Sequence, residues 1–320
     1  MLKTTGIGTS HAKIILIGEH SVVYGQPAIA LPLPEVKLTV TITKLDSEQQ
    51  LLDSRYFSGS ITEAPENMLG IKTLILALIN QFDGQSDGWK MNITSMLPAE
   101  RGMGSSAASA IAIIRAFFDY YDRQLSRETL LKLADIEEKI THRSPSGLDA
   151  ATTSAINPIW FVKGHAGQHL AMNVTGTLVI ADSGVKGQTG DAIKAVKEQL
   201  LSNKEATVGQ IETLGNLAKE TKTCLQNGNS NNLGIILSRA QTQLKLLNVS
   251  HPSVDNLIQV AMDNQALGAK LTGGGRGGCI IALVKDAATA QSLSVKLIDA
   301  GATATWIQPL QGGNNDTNVC

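Results

Sequence analysis

The sequence predicts an α+β protein, in which mixed strands and helices are followed by a helix-rich second half. Alternation of apolar and polar residues at 36–42 and 89–95 indicates half-buried strands, whereas helical periodicity dominates after residue 190. The chain has 320 residues, and its hydrophobic content of 42% is enough for a sizeable core. Strands come early and helices cluster later, which favours α+β layering over regular βαβ units.

The first half opens with a short apolar run at 13–17 that ends in a glycine and indicates a buried strand. Small residues introduce a predicted helix at 105–121, and Ser126 is a suitable N-cap for another at 127–141. The other elements predicted here are a strand at 36–42, a helix at 67–81 and a strand at 89–95.

A domain boundary is predicted near 157–167, where Pro158, Gly164 and Gly167 interrupt the pattern. We therefore expect one domain over 1–160 and a second over 161–320. The elements predicted beyond the boundary are a strand at 178–181, helices at 191–201, 208–226, 232–247 and 253–265, a strand at 279–284, a helix at 287–300 and a strand at 303–307.

Composition argues against several classes of protein. The net charge is −1 with no long basic run, which disfavours a nucleic-acid partner. No apolar run reaches the roughly 18–20 residues of a membrane helix, and the first residues lack a signal-peptide core. We therefore expect a cytoplasmic protein with no membrane partner. The three cysteines, Cys224, Cys279 and Cys320, are too widely spaced to suggest a disulfide framework or a zinc site.

The most informative segment is the glycine- and serine-rich stretch at 97–110. Gly102 and Gly104 run directly into an apolar helical pattern, which is how backbone N–H groups form an anion site at a helix N-terminus. Ser105 and Ser106 put two hydroxyl groups where a phosphate or its metal would lie. The segment has no Walker-type lysine, so it predicts a phosphate-binding loop of another kind.

Three further groups of residues suggest chemistry. They are Lys13 with Glu19 and His20, Glu137 and Glu138 with Asp149, and Thr272 with the glycines that follow it. Each has a structural alternative: Lys13 as a snorkelling surface lysine, Asp149 as a helix cap, and the glycines as a tight turn. Together they supply the parts that phosphoryl transfer needs, namely anion-binding backbone, metal-binding oxygens and a base.

The helical wheel of 130–140 leaves the choice between two carboxylates open. Glu137 falls within the apolar stripe marked by Leu130 and Ala134, where it would need a partner to offset desolvation. Glu138 falls near the edge of that stripe, from which a carboxylate can reach a cleft.

Taken in order from Lys13 to Cys279, these motifs resemble the GHMP small-molecule kinase superfamily. The most specific piece is Gly-Glu-His-Ser-Val-Val-Tyr-Gly at 18–25. Galactokinases have Thr-Asp-Tyr after Gly-Glu-His, phosphomevalonate kinases usually have Gly-Glu-Tyr, and homoserine kinases lack the segment. The motif and the Pro-Ser-Gly-Leu-Asp run at 145–149 therefore favour the branch that phosphorylates mevalonate.

The resemblance implies a ribosomal-protein-S5-like N-terminal domain, a ferredoxin-like C-terminal domain and a site in the cleft between them. It implies transfer of the γ-phosphoryl group of ATP to the primary alcohol of (R)-mevalonate with Mg²⁺, and it is compatible with a homodimer.

The resemblance also implies residue roles. Asp149 matches the general base, and Lys13 matches the cation beside it, which would favour the ionised base and stabilise transition-state charge. The position eleven residues before Asp149 selects Glu138 over Glu137 as the carboxylate ligand. The remaining implied roles are ATP binding by Glu100, Arg101, Gly102, Met103, Gly104, Ser105 and Ser106, metal binding by Ser106 and Glu138, and acceptor contacts by Glu19, His20, Ser146 and Thr272.

Three positions depart from the family pattern. Arg101 stands in the phosphate loop where many relatives have a small residue, and Arg276 interrupts the last glycine run. Lys186 lies where eukaryotic members carry an arginine, and either supplies that charge or is an ordinary loop lysine.

Two other functions remain open at this point. One is a GHMP kinase acting on phosphomevalonate or a sugar. The other is a catalytically silent member that binds a nucleotide or sugar as a regulator, although the intact set of Lys13, Ser106, Glu138 and Asp149 argues against it.

Overall fold

A computed structural model describes residues 2–97, 101–141 and 147–310. Within these residues the chain forms two sheets, a mixed seven-stranded one from the first half and an antiparallel four-stranded one from the second. Helices pack against both sheets, and one continuous apolar core joins residues of the two halves. The predicted α+β class is confirmed.

The first sheet is organised around a long central strand. Its strands are β1 (Thr5–Ile17), β2 (Ala28–Lys44), β3 (Gln50–Ser54), β4 (Ser58–Ser60), β5 (Trp89–Ser95), β6 (Ile159–Phe161) and β7 (Gln168–His169), and its helices are α1 (Leu69–Gln81), α2 (Ser105–Tyr120), α3 (Arg127–Thr141) and α4 (Leu148–Thr153). The strand β2 pairs antiparallel with β1, β5 and β6, while β3 runs parallel to β5.

Close packing of α2 on β1 sets the position of the predicted phosphate loop. A Cβ atom on Gly8 would lie 2.0 Å from the Ala112 carbonyl oxygen, and one on Gly6 would lie 2.6 Å from that of Ala116. These two strand positions therefore need glycine for the helix backbone to approach. Because α2 is buried on most of its surface, its N-terminus is held firmly beside the second part of β1.

The second half has a ferredoxin-like strand order. Its elements are β8 (Gly176–Asp182), α5 (Thr189–Ser202), α6 (Lys204–Asn227), α7 (Ser230–Leu246), α8 (Pro252–Asp263), β9 (Gly268–Thr272), β10 (Cys279–Val284), α9 (Ala287–Asp299) and β11 (Ala304–Leu310). The sheet order is β11-β8-β10-β9 with antiparallel pairing throughout, which is the order of a split β-α-β unit. Four helices, rather than one, connect β8 to β9.

Most predicted elements are present, and the differences have simple causes. The strands β1 and β2 extend well beyond the predicted runs, because the glycines of β1 and the prolines of β2 at positions 32 and 34 obscure the pattern. The short elements β3, β4, β6, β7 and α4, and the buried strand β9, were not predicted. The domain division after residue 160 stays a prediction; β6 spans that position, and the second sheet begins at Gly176.

Across the part of the chain that is described, no helix combines the length and apolarity needed to cross a bilayer. Cys224 and Cys279 are buried free thiols, and Cys320 lies outside the described residues.

Candidate active site

A buried ion pair joins two of the residues singled out in the sequence. Lys13 lies on β1, and its Nζ is 2.9 Å from Oδ1 of Asp149. The Lys13 side chain is 6% exposed and that of Asp149 is 30% exposed, so the cation is buried and the carboxylate reaches solvent. Lys13 is therefore not a surface lysine, and Asp149 lies within the first turn of α4 rather than at its cap.

The phosphate loop closes over this ion pair. Gly102 and Gly104 have φ angles of +78° and +73°, and a Cβ on Gly104 would lie 2.9 Å from Cγ of Lys13. The Lys13 backbone N–H donates to the Met103 carbonyl at 3.0 Å, which fastens the loop to β1. Gly104 caps α2 without any side-chain hydrogen bond, so the first-turn N–H groups remain available to an anion. Glu100 lies outside the described residues.

Two adjacent glutamates on α3 have different partners. Both are buried, but Glu137 accepts hydrogen bonds from the hydroxyls of Ser106 and Thr141, whereas Glu138 accepts one from the Gly147 N–H at 3.3 Å. Burial, together with the charge of Asp149, raises the pKa of Glu138 to about 7. The structure therefore brings Ser106 to Glu137 rather than to Glu138, and the predicted ligand role of Glu138 stays a prediction.

The donor set here fits a hard divalent cation. The oxygens are carboxylates and a hydroxyl, the ligand types that Mg²⁺ takes in proteins. The pKa of Glu138 is raised first by burial and then by the charge of Asp149, and a cation bound beside both carboxylates would oppose this shift. No group of three or more metal-binding side chains occurs among residues 2–97, 101–141 and 147–310, so most ligands of such a cation would be water and phosphate oxygens.

A cavity of about 420 Å³ adjoins the N-terminus of α2, and the sequence had not indicated it. Ser105, Ser106 and Ser109 line one side of it, and Ile71 and Ile93 contribute to an apolar wall. Its volume lies within the range of small-molecule sites. The lining segments at 54–56 and 67–71 come from separate elements and carry no short motif, so only the folded chain reveals them.

The residues predicted to contact the acceptor lie at the junction of the two halves. Glu19 is buried and forms an ion pair with Lys270 of β9. The hydroxyl of Thr272 binds β1 twice, because it donates to the Ile15 carbonyl at 2.9 Å and accepts from the Ile15 N–H at 3.1 Å. Ser146 lies outside the described residues. The predicted contacts of these residues with an acceptor stay predictions.

His20 has an unusual backbone and a buried ring. Its φ of +60° is rare for a residue with a side chain, and such strain tends to occur at functional sites. Its Nε2 lies 3.1 Å from the Gly274 carbonyl oxygen, to which it donates, and burial lowers its pKa to about 4.

The structure gives two of the departures from the family pattern a physical role. Nε of Arg101 lies 2.9 Å from Oδ2 of Asp182 at the end of β8, which ties the phosphate loop to the second half. Arg276 has a φ of +54° and donates from its backbone N–H to the Val249 carbonyl and from Nε to that of Asn248, which closes the end of α7. The role suggested for Lys186 stays a prediction.

Family models match segments in both halves of the chain. Residues 71–156 match the family model described as GHMP kinases N terminal domain, and residues 221–303 match GHMP kinases C terminal. A mevalonate kinase of Pyrococcus furiosus is 29% identical over 93% of this chain and 94% of its own length.

Solved structures of mevalonate kinases also match nearly the whole chain. The crystal structure of a mevalonate kinase from methicillin-resistant Staphylococcus aureus is 32% identical, covers 97% of this chain and 100% of its own, and has a TM-score of 0.76. A mevalonate kinase of L. major in complex with R-mevalonate has a TM-score of 0.84 over 98% of this chain and 99% of its own; its 22% identity bears on the fold alone. The chain therefore belongs to the GHMP kinase family, and within it to the mevalonate kinases.

Proposed function

We propose that this chain transfers the γ-phosphoryl group of ATP to the primary hydroxyl of (R)-mevalonate, forming 5-phosphomevalonate and ADP. The observation that carries the proposal is the Lys13–Asp149 ion pair, which lies directly under Gly104 at the uncapped start of α2. A base, a buried cation and an anion-binding helix terminus thus meet at one point, which suits in-line phosphoryl transfer.

In this mechanism Asp149 accepts the hydrogen bond of the attacking hydroxyl and takes its proton as the new P–O bond forms. Lys13 holds the Asp149 carboxylate in place through their 2.9 Å ion pair and stabilises the negative charge that develops on the transferred group. The partial exposure of Asp149 supports this division of roles, because the carboxylate reaches the cleft while the lysine does not. Since phosphoryl transfer passes through a loose transition state, orientation by Asp149 contributes as well as proton removal.

On the nucleotide side, the backbone N–H groups of the loop at 101–106 bind the phosphates, and the cavity of about 420 Å³ receives the nucleoside. Ser106 and Glu138 would hold Mg²⁺, with Glu137 the competing carboxylate because Ser106 already contacts it. Mg²⁺, when bound, neutralises charge on the phosphate oxygens.

On the acceptor side, Glu19, His20 and Ser146 contact mevalonate, and Thr272 braces the loop around it. The low pKa of His20 keeps its ring neutral at pH 7, so it acts as a hydrogen-bonding group and not as a cation. A cytoplasmic location and a homodimer also remain predictions, the second of which light scattering of the purified chain would test.

The test is an ADP-release assay with mevalonate, phosphomevalonate, galactose and homoserine as separate acceptors. We expect turnover with mevalonate to exceed that with each of the others by several orders of magnitude. Preference for another acceptor would assign the chain to a different GHMP activity. Binding of MgATP without turnover of any acceptor would instead support the silent regulator.

A further inference from the structure

The deepest charge in the described chain has no role in the mechanism above. Lys270 on β9 is 0% exposed, and its Nζ donates to Oε1 of Glu19 and to the Leu271 carbonyl oxygen. Glu19 follows β1 and is 3% exposed. The pair therefore joins the first half to the second at the predicted acceptor end of the site.

Stability alone is a weak reason for such a pair. Removing two charges from water costs several kcal/mol per ion. Replacing a buried ion pair by well-packed apolar residues therefore often leaves the stability of a protein unchanged or increases it. Burial raises the pKa of Glu19 and lowers that of Lys270, while the attraction between the two opposes both shifts. Lys270 thus favours the ionised form of the Glu19 carboxylate, in opposition to burial, which favours the neutral form.

One oxygen of the Glu19 carboxylate accepts no hydrogen bond from the described residues. This oxygen, Oε2, is buried. The hydroxyl of Thr272 is bonded to Ile15 and the ring of His20 to Gly274. The backbone N–H groups of Glu19 and Gly273 lower the pKa of this carboxylate, but neither completes a hydrogen bond to Oε2. A buried carboxylate oxygen without a donor is costly, so a donor from outside the described chain is expected to meet it.

We propose that Lys270 is a positioning residue, which holds Glu19 as a carboxylate with Oε2 directed to accept a hydrogen bond from a hydroxyl group of the phosphoryl acceptor. This inference rests on the proposed mevalonate kinase activity, since mevalonate supplies the hydroxyl. Lys270 itself does not touch the acceptor and acts only through Glu19.

The test is the steady-state kinetics of Lys270→Met, which keeps the length of the side chain and removes its charge. We expect KM for mevalonate to rise about tenfold or more, the usual worth of a hydrogen bond to a charged group, with KM for ATP near that of wild type. A merely structural role predicts that both KM values move together. Lys3→Met, which removes an exposed lysine from its contact with Asp119, is the matched control and should change neither.

A pH profile separates positioning from packing. The charged or titratable groups that act on the pair are Glu19 and Lys270 themselves, with His20 beside them. Without Lys270, the pKa of Glu19 rises further, so KM for mevalonate in Lys270→Met should fall as the pH is raised. The double variant Glu19→Gln/Lys270→Met leaves no unpaired buried charge, so it should fold, and it should show a raised KM for mevalonate that does not change with pH.

The outcomes separate the two proposals. A wild-type chain that does not phosphorylate mevalonate refutes the proposed function and this inference with it. A wild-type chain that does, combined with an unchanged KM for mevalonate in the double variant or equal shifts of both KM values in Lys270→Met, refutes the role of Lys270 alone.

Discussion

At the scale of the residue, the site depends on buried charges that hold one another in place. Lys13 holds Asp149 at 2.9 Å, and the charge of Asp149 in turn helps to raise the pKa of Glu138. Replacing one of these side chains should therefore also affect the position or the charge of its neighbours.

His20 should make the folded protein less stable as the pH falls. Its folded pKa of about 4 lies below the ordinary value of 6.5, so between these values the unfolded chain binds a proton that the folded chain does not. Between pH 7 and pH 5 this linkage should remove about 2 kcal/mol of the free energy of unfolding. In urea unfolding, His20→Gln should lose that part of the pH dependence, and an identical profile for both proteins would refute the assignment.

The two glutamates of α3 can be distinguished by their metal requirement. Glu138→Gln should raise the Mg²⁺ concentration for half-maximal activity by about tenfold or more, since a ligand is lost. Glu137→Gln should leave it nearly unchanged. The reverse pattern would transfer the ligand role to Glu137, which the Ser106 hydroxyl already contacts.

At the scale of the element, two glycine-rich loops meet across the cleft. A Cβ on Gly102 would lie 3.6 Å from Cα of Gly273, so the phosphate loop and the loop after β9 approach each other along their backbones. A Cβ at either point would make an ordinary van der Waals contact, so glycine is favoured there by the φ angles of +78° and +85°. The N-terminus of α2 is therefore held from below by β1 and from the side by the second half.

Gly104→Ala should damage the site more than a comparable glycine replacement elsewhere. Its φ of +73° strains any side chain, and the new Cβ would lie 2.9 Å from Cγ of Lys13. Gly301→Ala is the control, because its φ is +102° but the space around it is open. Both should cost about 1–2 kcal/mol of stability, and only Gly104→Ala should also lower kcat and raise KM for ATP. Equal activity in the two variants would contradict this account.

The sequence predicted the elements that are encoded by residues close together in the chain. It did not predict contacts and cavities formed by residues that are far apart in the chain. Small residues before an apolar run predicted the start of α2, and the alternation at 89–95 predicted β5. The helical wheel could not separate Glu137 from Glu138, because both are buried and only their partners differ. The cavity beside α2 draws its lining from distant segments, so no local motif marks it.

At the scale of the whole molecule, the site forms at the junction of the two halves. Arg101 of the phosphate loop pairs with Asp182 of β8, Thr272 of β9 brackets β1, and Lys270 pairs with Glu19. Residues separated by 81 or more positions make each of these contacts. A change in the relative position of the two halves should therefore alter both the proposed ATP site and the proposed acceptor site.

The Arg101–Asp182 pair should couple the halves measurably. A double-mutant cycle of Arg101→Met and Asp182→Asn, followed by urea unfolding, should give a coupling energy of about 1 kcal/mol or more, because the pair is largely buried. The exposed pair of Arg239 and Glu220 has the same 2.9 Å separation and should give less than about 0.5 kcal/mol. A coupling no larger than that of the exposed pair would show that Arg101 does not fasten the loop.

The role of Asp149 as the base is tested most directly by the turnover of Asp149→Asn with mevalonate and MgATP. Since Asn keeps the shape of the side chain but cannot take a proton, the variant should fold and bind MgATP like wild type. Its kcat should fall by about 10²–10⁴-fold. Asp119→Asn, at the far end of α2, is the control and should turn over normally. Near-normal kcat in Asp149→Asn would contradict the account.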